Sequence, residues 1–215
     1  MPNWVNNTVT VNGDPEEIKK FREKAAQPYK VYYNNEEETS ESCFAFWNFK
    51  RPPQEALDSG EYFATHGFSK EHGHTGQTVN NWYNWNNREW GTKWDACRPE
   101  VVWEDSSSIQ YTFDTAWSMP EPVFEAMVAQ HPNLNFDIYC IEEQGWGVEY
   151  VGSDGELTTI DEWDIPATHE ESVKRQGECY CSYGDPEDGN PFSDCPELET
   201  AIAVEMLEQA DAALK

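Results

Sequence analysis

The run Trp90-Gly91-Thr92-Lys93-Trp94-Asp95 places two indoles, an ammonium and a carboxylate next to one another. A lysine beside tryptophan can hold a ligand by a cation–π contact, and Gly91 permits the tight turn that would present it. The same residues can equally form a tryptophan-lined turn that plugs one end of a sheet, with Lys93 and Asp95 paired to each other. Trp117, just ahead of a proline-bounded helix, is expected to pack into the same aromatic cluster. Trp90, Lys93, Trp94, Asp95 and Trp117 are therefore candidate binding residues.

A second group is acidic. Glu36-Glu37-Glu38 lies in a polar loop, and with the acids of the C-terminal tail it could imitate a row of phosphates. Duplex DNA displays about one charge per ~1.7 Å of axis, which is the spacing such a mimic has to match. A solvated acidic face is the plain alternative.

A third group consists of metal-ligand types. Cys179, Cys181 and Cys195, with His169, make a conceivable set of four zinc ligands, and a small tail with little apolar content would gain stability from a metal. Cys-x-Cys is a less favoured spacing than Cys-x-x-Cys, so unligated thiols are the simpler expectation and no cofactor is assigned. His72-Gly73-His74 could present two imidazoles, but no Cys or carboxylate stands at a recognised spacing from them.

Nucleophilic catalysis needs a nucleophile, a base and an orienting group. The sequence has no Gly-x-Ser-x-Gly, no phosphate-cradling glycine loop and no His-Glu-x-x-His. The expectation is a protein that is not an enzyme.

Charge sets the wider frame. Against 41 Asp and Glu stand 14 Lys and Arg, a net charge of −27. Such a field repels phosphates and anionic membranes and attracts basic surfaces, so direct nucleic-acid and membrane binding are both disfavoured. The longest apolar runs, such as Cys43 to Trp47, fall far short of a membrane span, and Met1-Pro2-Asn3-Trp4 opens without a basic or apolar leader. These features point to a cytoplasmic protein whose six cysteines stay reduced. Ten Trp, ten Tyr and ten Phe among few aliphatics predict an aromatic core.

The elements that must position these groups follow from periodicity. Val5, Asn7, Val9 and Val11 alternate with Asn6, Thr8 and Thr10, which reads as a strand. Asp14 as N-cap, Pro15 at the first helical position and Glu17 at the capping-box position then open a helix through Ile18, Phe21 and Ala25. Cys43 to Phe49 reads as a second strand stopped by Pro52-Pro53, and residues 54–90 as an insertion of helix and loop. Val101 to Asp105 and Ile109 to Asp114 read as paired strands, followed by a helix from Glu121 towards His131. Strands around Phe136 to Cys140, Trp146 to Tyr150 and Leu157 to Ile160 come next. After Pro166 the pattern dissolves, and residues 196–214 close the chain as an amphipathic helix.

Strand, helix, strand, strand, helix, strand is the order of an α+β, ferredoxin-like antiparallel sheet with helices on one face, here extended by extra C-terminal strands and a helical tail. The expected organisation is one such domain over residues 1–165, with its insertion at about 54–90, followed by an acidic, Cys-containing segment with a C-terminal helix over 166–215.

Three tryptophan-bearing blocks occur in order: Pro2-Asn3-Trp4-Val5-Asn6-Asn7, Asn86 to Ala96, and Phe113-Asp114-Thr115-Ala116-Trp117-Ser118-Met119-Pro120. Over about residues 1–160 the chain resembles the YubB-type family of phage and conjugative-plasmid proteins. The resemblance implies a ferredoxin-like domain and a genomic context rather than a reaction. That family carries Cys where this chain has Val5, so a thiol role at that position is absent here. Together with the charge, the resemblance implies a non-enzymatic acidic interaction protein. Its expected partner is the basic surface of a host protein, a defence or nucleic-acid-handling protein that a DNA-like negative surface would inhibit. The alternatives are an accessory protein whose acidity serves solubility, and a zinc-containing small-ligand binder. The sequence leaves the oligomeric state open.

Overall fold

The structure, a computed structural model, describes residues 2–30, 39–66 and 80–177. Glu36, Glu37, Glu38, His72, His74, Cys179, Cys181, Cys195 and the expected helix at 196–214 lie outside the described residues.

Strand β1 (Trp4–Gly13) alternates as its sequence demands: Val5, Asn7, Val9 and Val11 are buried, while the residues between them face the other side. Asp14 then caps α1 (Pro15–Ala25) by accepting the Glu16 N–H at 2.9 Å, and Ile18, Phe21 and Ala25 form the buried stripe. A short ladder, β2 (Tyr29–Lys30) with β3 (Thr39–Ser40), follows. The insertion holds two helices, α2 (Gln54–His66) and α3 (Trp82–Glu89). The paired strands are β4 (Cys97–Glu104) and β5 (Ser108–Ala116), followed by α4 (Glu121–Gln130) and β6 (Leu134–Glu142). The extra strands are β7 (Gly147–Ser153) and β8 (Glu156–Trp163). They are joined through Asp154 and Gly155, whose φ values of 53° and 83° build the tight turn that suits the twist of a hairpin.

The six strands order as β4-β5-β1-β6-β7-β8. β1 lies between β5 and β6 and is antiparallel to both, with Val9 opposite Tyr111 on one side and Ile138 on the other. Its central position puts four consecutive core strands in the ferredoxin-like order, which agrees with the expected α+β class. Helices α1 and α4 lie on one face. Phe21 of α1 meets Tyr111 and Phe136 at 6.2 and 5.7 Å between centroids, and Phe124 of α4 meets Phe113 and Tyr150 at 6.5 and 6.1 Å. The opposite face is polar, with Asn6 hydrogen-bonded to Thr112, Gln110 to Thr10 and Asn12 to Asp137.

Two expectations are corrected here. Cys43 to Phe49 is not a strand but a bend leading into a single 3-10 turn, Phe46–Asn48. A strand would bury alternate residues, whereas Phe44, Ala45 and Phe46 are all buried in succession. The segment lies over the sheet, with Phe44 stacked on Phe113 at 4.9 Å and against Tyr111 at 5.1 Å. Beyond Pro166, the pattern does not dissolve at once but forms a further helix, α5 (His169–Gln176).

The described residues fall into two units, one running to Glu143 and including Val148–Glu162, the other comprising Gln144–Gly147 and residues 163–177. In the second unit the Trp163 indole N–H donates to Gly145 O at 2.8 Å, and the Arg175 guanidinium lies over the Trp163 ring at 4.2 Å. None of the helices among the described residues is long and apolar enough to cross a membrane.

Since Phe44 is fully buried between two sheet aromatics, Phe44→Ala is expected to cost about 3–5 kcal/mol. A loss below ~1 kcal/mol in urea unfolding would show that this segment does not close the core.

Candidate functional site

The Trp90 to Asp95 block is a loop fastened at both ends. α3 terminates with the Trp90 N–H donating to Asn86 O at 2.8 Å, and Asn86 Nδ2 donates to Lys93 O at 2.9 Å. Gly91 has φ +78°, and a Cβ there would stand 2.9 Å from Pro122 Cδ and 3.0 Å from Met119 O, so both backbone angle and space call for glycine. The Thr92 hydroxyl donates to Ala116 O and the Ser118 hydroxyl to Gly91 O, tying the loop to the end of β5.

Within this loop the candidates divide. Trp90 is a core residue: fully buried, its ring edge-on to Phe46 and Trp85, its indole N–H donated to Lys50 O at 2.7 Å. Asp95 is also internal and does not pair with Lys93. Its carboxylate accepts the Tyr29 hydroxyl at 2.8 Å and the backbone N–H groups of Phe46, Trp47 and Ala96 at 2.6, 3.3 and 2.7 Å. Burial pushes its pKa up and these donors pull it back. A carboxylate so enclosed organises backbone and is not available to a ligand.

Lys93 and Trp94 do reach the surface region, in company that the sequence does not announce. The Lys93 ammonium lies 4.4 Å from the Trp94 ring centre, Trp94 stands 6.2 Å from Trp4, and the Arg98 guanidinium covers Trp4 at 4.9 Å while pairing with Asp114 at 2.8 Å. Cation, indole, indole, cation thus form one ladder across the ends of β1, β4 and the loop. Sequence reasoning does not single out Trp4 or Arg98 as site residues, although the Pro2 to Asn7 block holds the signal for Trp4.

Trp117 departs furthest from expectation. It is 57% exposed and has no ring contact among the described residues, so it does not pack into the aromatic cluster. Its φ is +74°, a conformation that costs an L-residue about 1–2 kcal/mol. The mount is rigid: its N–H donates to Asn3 O at 2.9 Å, and the Thr115 hydroxyl donates to Ser118 O at 2.8 Å.

Charge is distributed as unevenly as the aromatics. Between Arg98 and Lys174 there is neither Lys nor Arg, while residues 99–173 carry 17 Asp and Glu. This stretch builds β5, α4, β6, β7 and β8. Partial burial holds the Glu121 carboxyl above its usual range, and the neighbouring Glu125 and Glu162 carboxylates add to the shift. Among the described residues no group of three or more His, Cys, Asp and Glu could hold a metal. His169 heads α5, which Thr168 caps by accepting the Glu171 N–H.

Against known proteins, the chain is similar to one named domain. Residues 89–178 match the ferredoxin-like domain in Api92-like protein. The match takes in β4 through α5 and leaves β1 and α1 outside, whereas the resemblance read from the tryptophan blocks spans residues 1–160. The crystal structure of protein api92 from Yersinia pseudotuberculosis superposes with a TM-score of 0.50 at 9% sequence identity, covering 77% of this chain and 99% of that one. At that identity the likeness is one of fold. No curated protein matches the chain.

Two outcomes follow from the loop. Asp95→Ala, which strands buried donors, is expected to lose about 3 kcal/mol, and Tyr29→Phe about 1 kcal/mol; urea unfolding measures both, and equal losses would contradict the geometry. Burial raises the Cys97 thiol to about 11 and Cys140 beyond that. Peptide-mapped alkylation of native protein near neutral pH should therefore spare both, with Cys97 labelling rising steeply as pH approaches that value; rapid labelling at pH 7 would refute it.

Proposed function

We propose that this is a non-enzymatic interaction protein of a phage or plasmid, which engages a basic surface of a host protein in the cytoplasm and so inhibits a defence or nucleic-acid-handling protein. The base-free stretch from Arg98 to Lys174 carries the reading. A chain that needed acidity only for solubility would be served by acids interspersed with bases. Here the carboxylates of α4, β6, β7 and β8 stand without a lysine or arginine from their own elements, among them the exposed Glu121, Glu125, Asp137, Glu156 and Glu162, and the exposed Glu143 and Asp154 add to them from the turns between strands. Clustered carboxylates of one sign focus the field that steers a basic partner. The ferredoxin-like sheet gives this charge a rigid support, and the YubB-type resemblance supplies the mobile-element context. Among the described residues, burial drives the Cys43, Cys97 and Cys140 thiols away from the nucleophilic thiolate.

The test is affinity capture from a bacterial host lysate at about 50 mM and at about 500 mM salt, repeated with Glu149, Glu156 and Glu162 changed together to Gln. One basic protein retained at low salt, released at high salt, competed by duplex DNA and absent from the triple variant is the expected result. No partner at either salt would overturn the proposal and leave the acidity as a solubility device.

A further inference from the structure

We propose that Trp117 anchors the partner surface and receives an arginine side chain of a basic protein by cation–π stacking. This rests on the reading of the chain as one that engages a basic surface, and it adds the residue that makes the contact and the group that is recognised.

Elsewhere in the molecule, four cations of this chain lie over indole faces, while Lys20, Arg22, Lys50 and Arg88 pair with carboxylates. Lys93 lies over Trp94, Arg98 over Trp4, Arg51 over Trp47 and, within the second unit, Arg175 over Trp163. Trp117 is the most exposed tryptophan among the described residues, and none of their cations lies over it. It is held in a left-handed backbone conformation that glycine would adopt at no cost, by bonds that fasten both neighbours: Asn3 O to its own N–H, Thr92 to Ala116 O, and Ser118 to Gly91 O. An exposed indole on a rigid, strained mount, with two rotatable bonds to order, matches the residue type and the low ordering cost of an interface anchor.

The charge nearby selects the ligand. Four residues on, α4 opens with Glu121, Glu125 lies one turn further, and the Glu143 N–H meets Trp4 O at the adjoining strand end. Lys93 and Arg98 also stand at this sheet end, over Trp94 and Trp4, but the net charge of −27 favours the approach of a cation over that of an acidic peptide, a phosphate or a second copy of this chain. Arginine suits the site better than lysine, because its planar guanidinium stacks on the indole and sheds water more readily than an ammonium.

Isothermal titration of the full chain with nine-residue arginine and nine-residue lysine peptides, at about 50 mM salt, tests this. Wild type should bind the arginine peptide several-fold tighter than the lysine peptide. Trp117→Gly should weaken the arginine peptide about tenfold and abolish the preference. Its thermal midpoint should stay within about 3 °C of wild type, since relief of the left-handed strain offsets removal of the half-exposed indole. Trp117→Phe, which retains a ring, should keep most of the affinity. If Trp117→Gly binds like wild type while the Glu149, Glu156 and Glu162 triple variant does not, the anchor is refuted and the acidic reading stands. If wild type binds neither peptide, both fall. A dimer seen by light scattering for wild type and abolished in Trp117→Gly would make a second copy the occupant and overturn the proposal.

Discussion

One buried carboxylate joins the parts of this fold that are far apart in sequence. Asp95 is the acceptor for Tyr29, for the Phe46 and Trp47 amides and for its neighbour Ala96, so the segment after α1, the bend over the sheet and the entry to β4 all converge on it. Three of these four donors are backbone amides, and buried N–H groups without acceptors would each be costly. With the carboxylate in place, Phe44 and Phe46 can press onto Phe113 and complete the aromatic layer between helices and sheet. The charged acceptor is thus the condition for an irregular segment to serve as core.

What the sequence reveals and what it hides divide along the same line. β1 and α1 are legible because one alternates strictly and the other carries its own cap, Asp14 followed by Pro15. Local chemistry decides both. The Cys43 to Phe49 run is misread because its apolar residues are continuous, and continuity without alternation does not distinguish a strand from a segment enclosed on several sides. α5 is missed although Thr168 and Glu171 form its capping box, Glu171 reaching back to the Ala167 N–H at 2.9 Å and Thr168 accepting the Glu171 N–H. In so acidic a tail that Glu does not stand out.

The candidate site is legible as composition and opaque as geometry. Trp90, Lys93, Trp94 and Asp95 are close neighbours in sequence, yet two are enclosed and two belong to a ladder completed by Trp4 and Arg98. Only the register that sets Trp4 opposite Ala116 and Cys97 opposite Asp114 brings these ends together. Trp117 could not be read as exposed, because its position depends on a positive φ that no residue preference of tryptophan would predict.

The ladder and the acidic half have a common physical logic. A chain of net charge −27 that paired each base with a surface carboxylate would gain little, since exposed ion pairs contribute at most about 1 kcal/mol each, and it would cancel part of its own field. Laying Lys93, Arg98 and Arg51 on tryptophan faces uses them for attraction to rings, with only Arg98 also meeting a carboxylate. Around α4, the Glu125 and Glu162 carboxylates repel that of Glu121 and add to the burial that raises it. That repulsion destabilises the compact state, and the large aromatic core is what offsets it, since each buried Phe, Tyr or Trp removes more apolar surface from water than an aliphatic residue would. Aromatic richness and a predominantly negative field are therefore two aspects of one arrangement, in which stability is drawn from rings so that the charge can face outward.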